Sequence, residues 1–338
     1  MSATIKDVAR IAGTSISTVS KVINGSPTIS LPTVEKVQSA IKSLNYTPNK
    51  RAQNLAKKNT NIISFITKAK RDSAFVNPHL FEVMTGAQRT LFQRGYTMSF
   101  IGLKNSDLSV IKDLVENKSV DGMLIHASVI TQEIAKYLSK INYPHIIIGM
   151  PDFPTSASWV DTNNELSGHL VAKHLIGLGR EKIAFIAGEK KDLISEHRLQ
   201  GVKKELTDNL VAINEDYFIN TNSSISASYQ VTMDLLKMDP RPNAIVCANN
   251  TIDLGCIAAL NDAKVIIPDE MAVVTFDDYP YAAITNPPTT AINIDVYDLG
   301  QQAAKLLLEK IRKPNSSFQT FMTVPLLVIR KSTRKDPS

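Results

Sequence analysis

From Asn61 onward, short β-rich apolar runs alternate with helical stretches, and this rhythm leaves few folds open to the chain. Residues 62–67, 98–102, 122–126 and 145–148 predict strands, while 80–94, 107–116 and 132–141 carry apolar stripes at helical spacing. A second set repeats the pattern, with helices predicted over 166–178, 196–208, 226–237 and 254–263 and strands over 183–187, 244–248 and 271–276. Strand–helix–strand units of this length place the strands parallel, with helices on both faces of the sheet. The expected fold class is α/β, with two doubly wound parallel-sheet lobes and a ligand cleft beyond the carboxyl ends of their strands.

The first sixty residues read differently. Thr4 and Asp7 have the spacing of a capping box, and Ile5, Val8, Ala9 and Ala12 share one helical face. After Gly13, Ser15 can cap a second helix whose stripe is Val19, Val22 and Ile23, ended by Asn24-Gly25. Ser30, Pro32 and the stripe Val34, Val37, Ile41 and Leu44 signal a third. The second helix leaves Ile16, Ser17, Thr18, Ser20, Lys21 and Asn24 facing outward, short side chains plus a cation that suit a groove of DNA.

A three-helix bundle with no nucleic-acid role fits the same stripes, so charge has to separate the two readings. Through residue 60 there are nine lysines and arginines against Asp7 and Glu35, a formal +7 in a chain whose total is +6. The rest of the chain is thus close to neutral. A positive excess confined to one end is the footprint of a phosphate-binding module.

The segment TIKDVARIAGTSISTVSKVING, followed by SPTISLPTVEKVQSAIKSLNYTPNKRAQNLA, resembles the DNA-binding headpiece of the LacI/GalR family of bacterial transcription repressors. The resemblance implies that Ile16 and Ser17, with Lys21 one turn on, read base edges in the major groove. Ser15, Thr18, Ser20 and Asn24 match positions that hold the phosphate backbone. NKRAQNLAKKNTN is similar to the family's hinge helix, in which Leu55 would wedge into the minor groove and Ala52 would let paired hinge helices approach closely. The implied organisation is a helix-turn-helix headpiece over 1–48, a hinge over 49–60, a periplasmic-binding-protein-like (type I) core over 61–331 and a tail over 332–338. The chain would cross between lobes three times, giving a first lobe of 61–160 plus 292–318 and a second of 161–291 plus 319–331.

The core carries the resemblance in AKHLIGLGREKIAFIAG, RLQGVKKEL, AIVCANNTIDLGCIAAL and VVTFDDYPYAAITNPPTTAIN. Position by position, it implies effector contacts from Arg198, Asn249 and Asp277, with His79 and Leu80 where members often place aromatic residues. Arg, Asp and Asn together can donate to and accept from vicinal hydroxyls, which favours a sugar. Gly149-Met150 replaces an Asp-Arg pair frequent in the family, and Ser223 stands near a position that often stacks an aromatic ring. Trp159, the only tryptophan, is a candidate platform in its place, or a core or interface residue. The implied mechanism is a homodimer on a pseudo-palindromic duplex operator of carbohydrate-utilisation genes, with a cleft ligand altering the lobe angle. A runner-up reading uses a phosphorylated carrier protein as corepressor.

Other classes fit less well. Gly177-Leu-Gly179 precedes a strand instead of following one, His169 and His174 fall on different helical faces, and no nucleophile elbow, P-loop or thiol-zinc spacing occurs. Neither an enzyme nor a metal or other cofactor is therefore expected. Cys247 and Cys256 read as buried thiols in a reducing compartment. The opening residues lack a signal peptide's apolar stretch and no apolar run approaches membrane length, so a cytoplasmic protein is expected and a transport-type sugar-binding protein is not.

Overall fold

The computed structural model describes residues 3–46, 59–69, 78–190, 192–278 and 281–334. The chain divides into two compact units, its first 61 residues and the remainder from Ile62. Among the described residues no helix is long and apolar enough to cross a membrane.

The first unit is three helices, α1 (Ile5–Ala12), α2 (Ile16–Ile23) and α3 (Leu31–Ser43). Thr4 and Asp7 close the capping box in both directions, and Gly13 takes φ +63° to end α1, a left-handed conformation that costs glycine little. Ser15 caps α2 through the Thr18 amide. Val8, Ala9, Ala12, Val19, Val37 and Ala40 form the shared core. In α3 Ala40 is buried and Val34 only partly so, because the two smaller helices cover a narrower face than the periodicity alone suggests.

The second unit holds two six-stranded sheets. The first orders its strands β11-β5-β4-β3-β1-β2, with β1 Ile62–Lys68, β2 Thr97–Leu103, β3 Gly122–His126, β4 His145–Ile148, β5 Trp159–Thr162 and β11 Thr320–Thr323. All its pairings are parallel. The second runs β12-β10-β9-β8-β6-β7, with β6 Ile183–Ala187, β7 Phe218–Asn220, β8 Ala244–Cys247, β9 Ala272–Phe276, β10 Thr290–Asn293 and β12 Leu326–Val328. Here β12 is antiparallel to β10, so this sheet is mixed at one edge. Strands such as β6, β8 and β9 are buried along their whole length, which is why they read as unbroken apolar runs.

Eight helices cover these sheets among the described residues: α4 (Pro78–Gln93), α5 (Leu108–Glu116), α6 (Gln132–Lys140), α7 (Asn164–Gly177), α8 (Leu193–Asp208), α9 (Ile225–Leu235), α10 (Asn250–Asp262) and α11 (Val296–Arg312). α7 and α8 cross backbone to backbone. A Cβ on Gly168 would run into the Arg198 carbonyl, and one on Gly201 into that of Glu165. This contact sets Asn164, at the start of α7, beside the Arg198 side chain.

The three crossings between sheets fall later than the expected lobe boundaries. Asp161 and Thr162 stay in the first sheet as the end of β5, Ile292 and Asn293 stay in the second as the end of β10, and β11 returns to the first, leaving only β12 to the second. Strand periodicity locates an element but does not say which sheet edge a four-residue strand extends. The last segment, 319–331, expected to belong wholly to the second lobe, holds two strands, one in each sheet.

Candidate functional site

Two surfaces gather the residues singled out above. On α2, Ser17, Lys21 and Asn24 lie at i, i+4 and i+7 and are exposed, as are Ser15 and Ile16, while Val19 on the far side is buried. Thr18 and Ser20 are half-buried at the rim. The Ser15 hydroxyl accepts from the Thr18 amide at 3.1 Å and lies 2.7 Å from Ser17 Oγ and 2.9 Å from Thr18 Oγ1. Asn24 Nδ2 donates back to the Ser20 carbonyl at 2.7 Å. The capped helix thus presents one cation and a set of short, mutually ordered hydroxyls beside its positive end, where an anion is favoured. Ala52 and Leu55 lie outside the described residues.

The second surface is a cleft at the carboxyl ends of both sheets. Its inner chamber has a volume of about 330 Å³ and is lined by all five expected effector residues: His79, Leu80, Arg198, Asn249 and Asp277. His79 and Leu80 enter from the first turn of α4, on the first-sheet side. Asn249 ends its strand segment and caps α10, its Oδ1 accepting from the Ile252 amide at 3.0 Å, so its carbonyl oxygen has a structural task as well. Asp277 follows β9 with φ +73°, a strained conformation for a residue with a side chain, held because its amide and that of Asp278 both donate to the Ile292 carbonyl.

Arg198 is a brace more than a free ligand arm. It is 5% exposed. Its Nε donates to Asn164 Oδ1 at 3.0 Å, Nη1 to the Ala248 carbonyl at 2.6 Å and Nη2 to Asp277 Oδ1 at 3.0 Å, and the guanidinium lies 4.5 Å from the Phe276 ring centroid. Three of an arginine's five N–H groups are therefore committed to the protein, leaving one on each terminal nitrogen for a ligand. Burial pushes the Asp277 carboxyl up, but the charges of Arg198 and His79 and the Arg198 hydrogen bond outweigh it and hold it below the usual range. His79 Nε2 reaches to 3.6 Å from the same Asp277 oxygen, so the first and second lobes touch at this carboxylate.

Several cleft residues were not singled out from sequence. His126 ends β3, and the Ser128 amide donates to its Nδ1 at 3.2 Å, which places the ring proton on Nε2. Burial lowers its pKa to about 4 against the pull of Asp192, so the imidazole is neutral at neutral pH. Asp161 is next to last in β5, accepts from the Met150 and Thr162 amides at 2.9 and 2.7 Å, and its pKa is raised by burial in spite of them. Asp192 accepts from Ser195 Oγ at 2.7 Å. The signal that could have found His126 and Asp161 is position alone, since both stand at or next to the carboxyl end of a parallel strand. Trp159 is not a ligand platform: it packs half-buried against the first-lobe core and lines neither the inner chamber nor the outer one of about 580 Å³ that adjoins it beside Met150, Asp152 and His197. His169 and His174 likewise serve the scaffold, bonding Glu205 at 2.6 Å and Thr333 at 2.9 Å.

Known proteins match over the same two surfaces. Residues 4–49 match the family described as bacterial regulatory proteins, lacI family, and residues 172–333 match a periplasmic binding protein-like domain. The HTH-type transcriptional repressor PurR of Vibrio parahaemolyticus is 31% identical over 337 residues, covering 98% of this chain and 99% of that protein. Among solved structures, the lac repressor dimer bound to operator and the anti-inducer ONPF superimposes with a TM-score of 0.84 at 27% identity, and a transcriptional regulator CelR–cellobiose complex with 0.75 at 26%; each covers 98% of this chain and 99% of the other. Similarity of this extent, running from the helix-turn-helix through both lobes, is family membership: the chain belongs to the LacI family of bacterial regulatory proteins, DNA-binding transcriptional repressors.

Proposed function

We propose that the protein acts as a homodimer on a pseudo-palindromic operator of carbohydrate-utilisation genes, and that a neutral, hydroxyl-rich small molecule in the cleft sets its operator affinity. The observation that carries the effector's chemistry is the charge balance of the inner chamber. Its only lysine or arginine among the described lining residues is Arg198, already matched by Asp277, while Asp161 and Asp192 add further carboxyls. An anionic ligand such as a sugar phosphate finds no unmatched cation there. No Phe, Tyr or Trp lines either chamber among the described residues, so among them only the imidazoles of His79 and His126 offer a planar base a ring to stack on in the inner chamber. Aliphatic walls from Leu80, Val83, Ile148 and Ile194, with paired donors and acceptors between them, suit a sugar ring.

His79 and Asp277 bring the two lobes together at this site, so a ligand that prefers one lobe spacing shifts the equilibrium between spacings and thereby DNA affinity. The test is operator binding by fluorescence anisotropy in the presence of neutral saccharides, sugar phosphates and purine bases. At least one neutral saccharide is expected to change operator affinity by roughly 5- to 150-fold, the usual span of allosteric coupling. If only phosphorylated sugars or purines do so, the effector assignment is wrong.

For the DNA surface, Lys21→Ala is expected to weaken operator binding by about 1–3 kcal/mol, the worth of a base-edge contact, and to affect random-sequence DNA much less. Equal losses on operator and random duplex would move Lys21 from base reading to backbone contact.

A further inference from the structure

A smaller cavity lies at the other end of the first sheet. The cleft opens beyond the carboxyl ends of the strands, whereas this cavity meets the amino ends, where His145 begins β4 and Ser158 precedes β5. Its volume is about 110 Å³. None of its lining residues belongs to either chamber of the cleft. At roughly 30 Å³ per water it holds three or four waters, the scale of one small tetrahedral ion.

His145 brings to it an acceptor that the protein leaves unused. The residue is 6% exposed, and its Nδ1 donates to the Tyr143 carbonyl at 2.7 Å, since a carbonyl oxygen can only accept. Burial, aided by the Lys310 charge, lowers its pKa against that hydrogen bond, so the ring is neutral and Nε2 is a bare lone pair. Nε2 is buried with no hydrogen-bond partner among the described residues. A buried acceptor without a donor is unfavourable, so the occupant of the cavity has to offer an O–H or N–H.

The other walls ask for the opposite. Lys310, half-buried, donates one N–H to the Ser316 carbonyl at 3.2 Å and has two more. Ser158 Oγ accepts from the Gln319 amide at 3.0 Å and keeps its own proton to donate. Ser139 and Ser156 add hydroxyls, and no Asp or Glu lines the cavity among the described residues. One cation among hydroxyl donors favours an anion, while the His145 lone pair repels an anion that has lost every proton. Sulfate fails that double requirement at neutral pH; phosphate, which still carries a proton there, meets it.

We propose that this cavity binds hydrogen phosphate, its P–OH donating to His145 Nε2 and its other oxygens accepting from Lys310 and the serine hydroxyls. The ion joins the end of α6, the start of β4, the turn before β5 and the segment after α11, and so stabilises the first lobe. The site is independent of whatever the cleft binds.

The test is thermal melting and calorimetric titration of the full-length protein with sodium phosphate and with sodium sulfate at equal ionic strength. Both anions stabilise proteins by exclusion from their surface, so only the difference reports the site. At about tenfold its Kd, phosphate is expected to raise Tm by about 2–4 °C more than sulfate does. His145→Asn keeps an amide N–H for the Tyr143 carbonyl but has nothing at the Nε2 position, and Lys310→Met removes the charge alone. Each is expected to melt normally in sulfate and to bind phosphate at least about tenfold more weakly. Phosphoserine, too large for the cavity, and glycolate, which pairs a hydroxyl with a planar carboxylate, are expected to bind at least about tenfold more weakly than phosphate to the unaltered protein. Sulfate matching phosphate, or both variants keeping full phosphate affinity, would leave the cavity to water and overturn the proposal. Phosphoserine or glycolate binding as tightly as phosphate would overturn it as well, by making the site one for a larger phosphoryl compound or a hydroxy acid. Nitrogen NMR of the unaltered protein needs no variant: the His145 Nε2 resonance is expected to move on adding phosphate and not sulfate, and an unmoved resonance rules the site out.

Discussion

Arg198→Met is expected to destabilise the two-lobed unit by about 3–5 kcal/mol, the usual cost of stranding one partner of a buried ion pair. The side chains of Arg198 and Asp277 are 6% and 12% exposed, so removing the guanidinium leaves a carboxylate with little water to replace it. The Asn164 Oδ1 and the Ala248 carbonyl lose their donor in the same step. Arg198→Lys keeps a charge near Asp277 but lacks the planar fork that serves three acceptors at once, and is expected to lose a smaller part of the stability. The double variant Arg198→Met/Asp277→Asn separates the terms. It should recover part of the loss of the single variant, because the uncharged amide costs less to bury. If urea denaturation shows the two losses simply adding, the stranded charge is not the cause. Acid titration gives a second check. In the wild type the folded state holds the Asp277 carboxyl below its unfolded value, so its contribution is complete above the unfolded pKa and is lost as pH falls through the folded one. Without Arg198 the largest lowering influence is gone, burial gains ground, and that loss on acidification is expected to shrink or change sign.

The same arginine marks how far sequence could reach. The RLQG motif pointed to an arginine at the cleft, and Arg198 does line it. Its three protein partners are 34, 50 and 79 residues away, and nothing local says that they converge on it. Strands buried on both faces, such as β6 and β8, were legible because burial forces an apolar run. β5, with Trp and Asp among its four residues, has no such run, and Asp161 at its end was passed over for that reason. β11 is exposed at two of its four residues and β12 at one of its three; their side chains carry little record of which sheet each strand extends. The polar cap of α2 could be read almost to the residue, since capping depends on spacings of three and four within one segment. Cleft geometry depends on crossings, and crossings are not local.

Asp253→Asn is expected to make the protein more stable at pH 8, by a smaller margin at pH 5, and to leave it nearly unchanged only below the unfolded value of 3.8. Asp253 lies on α10, is fully buried, and receives one hydrogen bond, from Thr289 Oγ1 at 3.3 Å, while its Oδ2 has no hydrogen-bond partner among the described residues. Its neighbour Cys247 is itself pushed up by burial, and among the described residues the only influence that favours the Asp253 carboxylate is the Thr289 hydrogen bond. Burial raises the Asp253 pKa from 3.8 to about 7, against the weaker lowering effect of the Thr289 bond. Between these values the unfolded chain has released the proton and the folded one retains it. Folding therefore takes up a proton in that window, and stability, complete below the unfolded value, falls as pH rises towards 7 and is lost beyond it. Three pKa units correspond to an order of 4 kcal/mol, an upper figure because the buried site can admit water. Asparagine has the shape of the protonated acid and cannot ionise, so its unfolding free energy should stay flat where the wild type declines. The measurement is urea denaturation of both proteins across the whole window, from below the unfolded value of 3.8 to above the folded value of about 7. Curves that stay parallel over this range would mean that Asp253 ionises without cost, and therefore that a cation or water reaches its unpaired oxygen in solution.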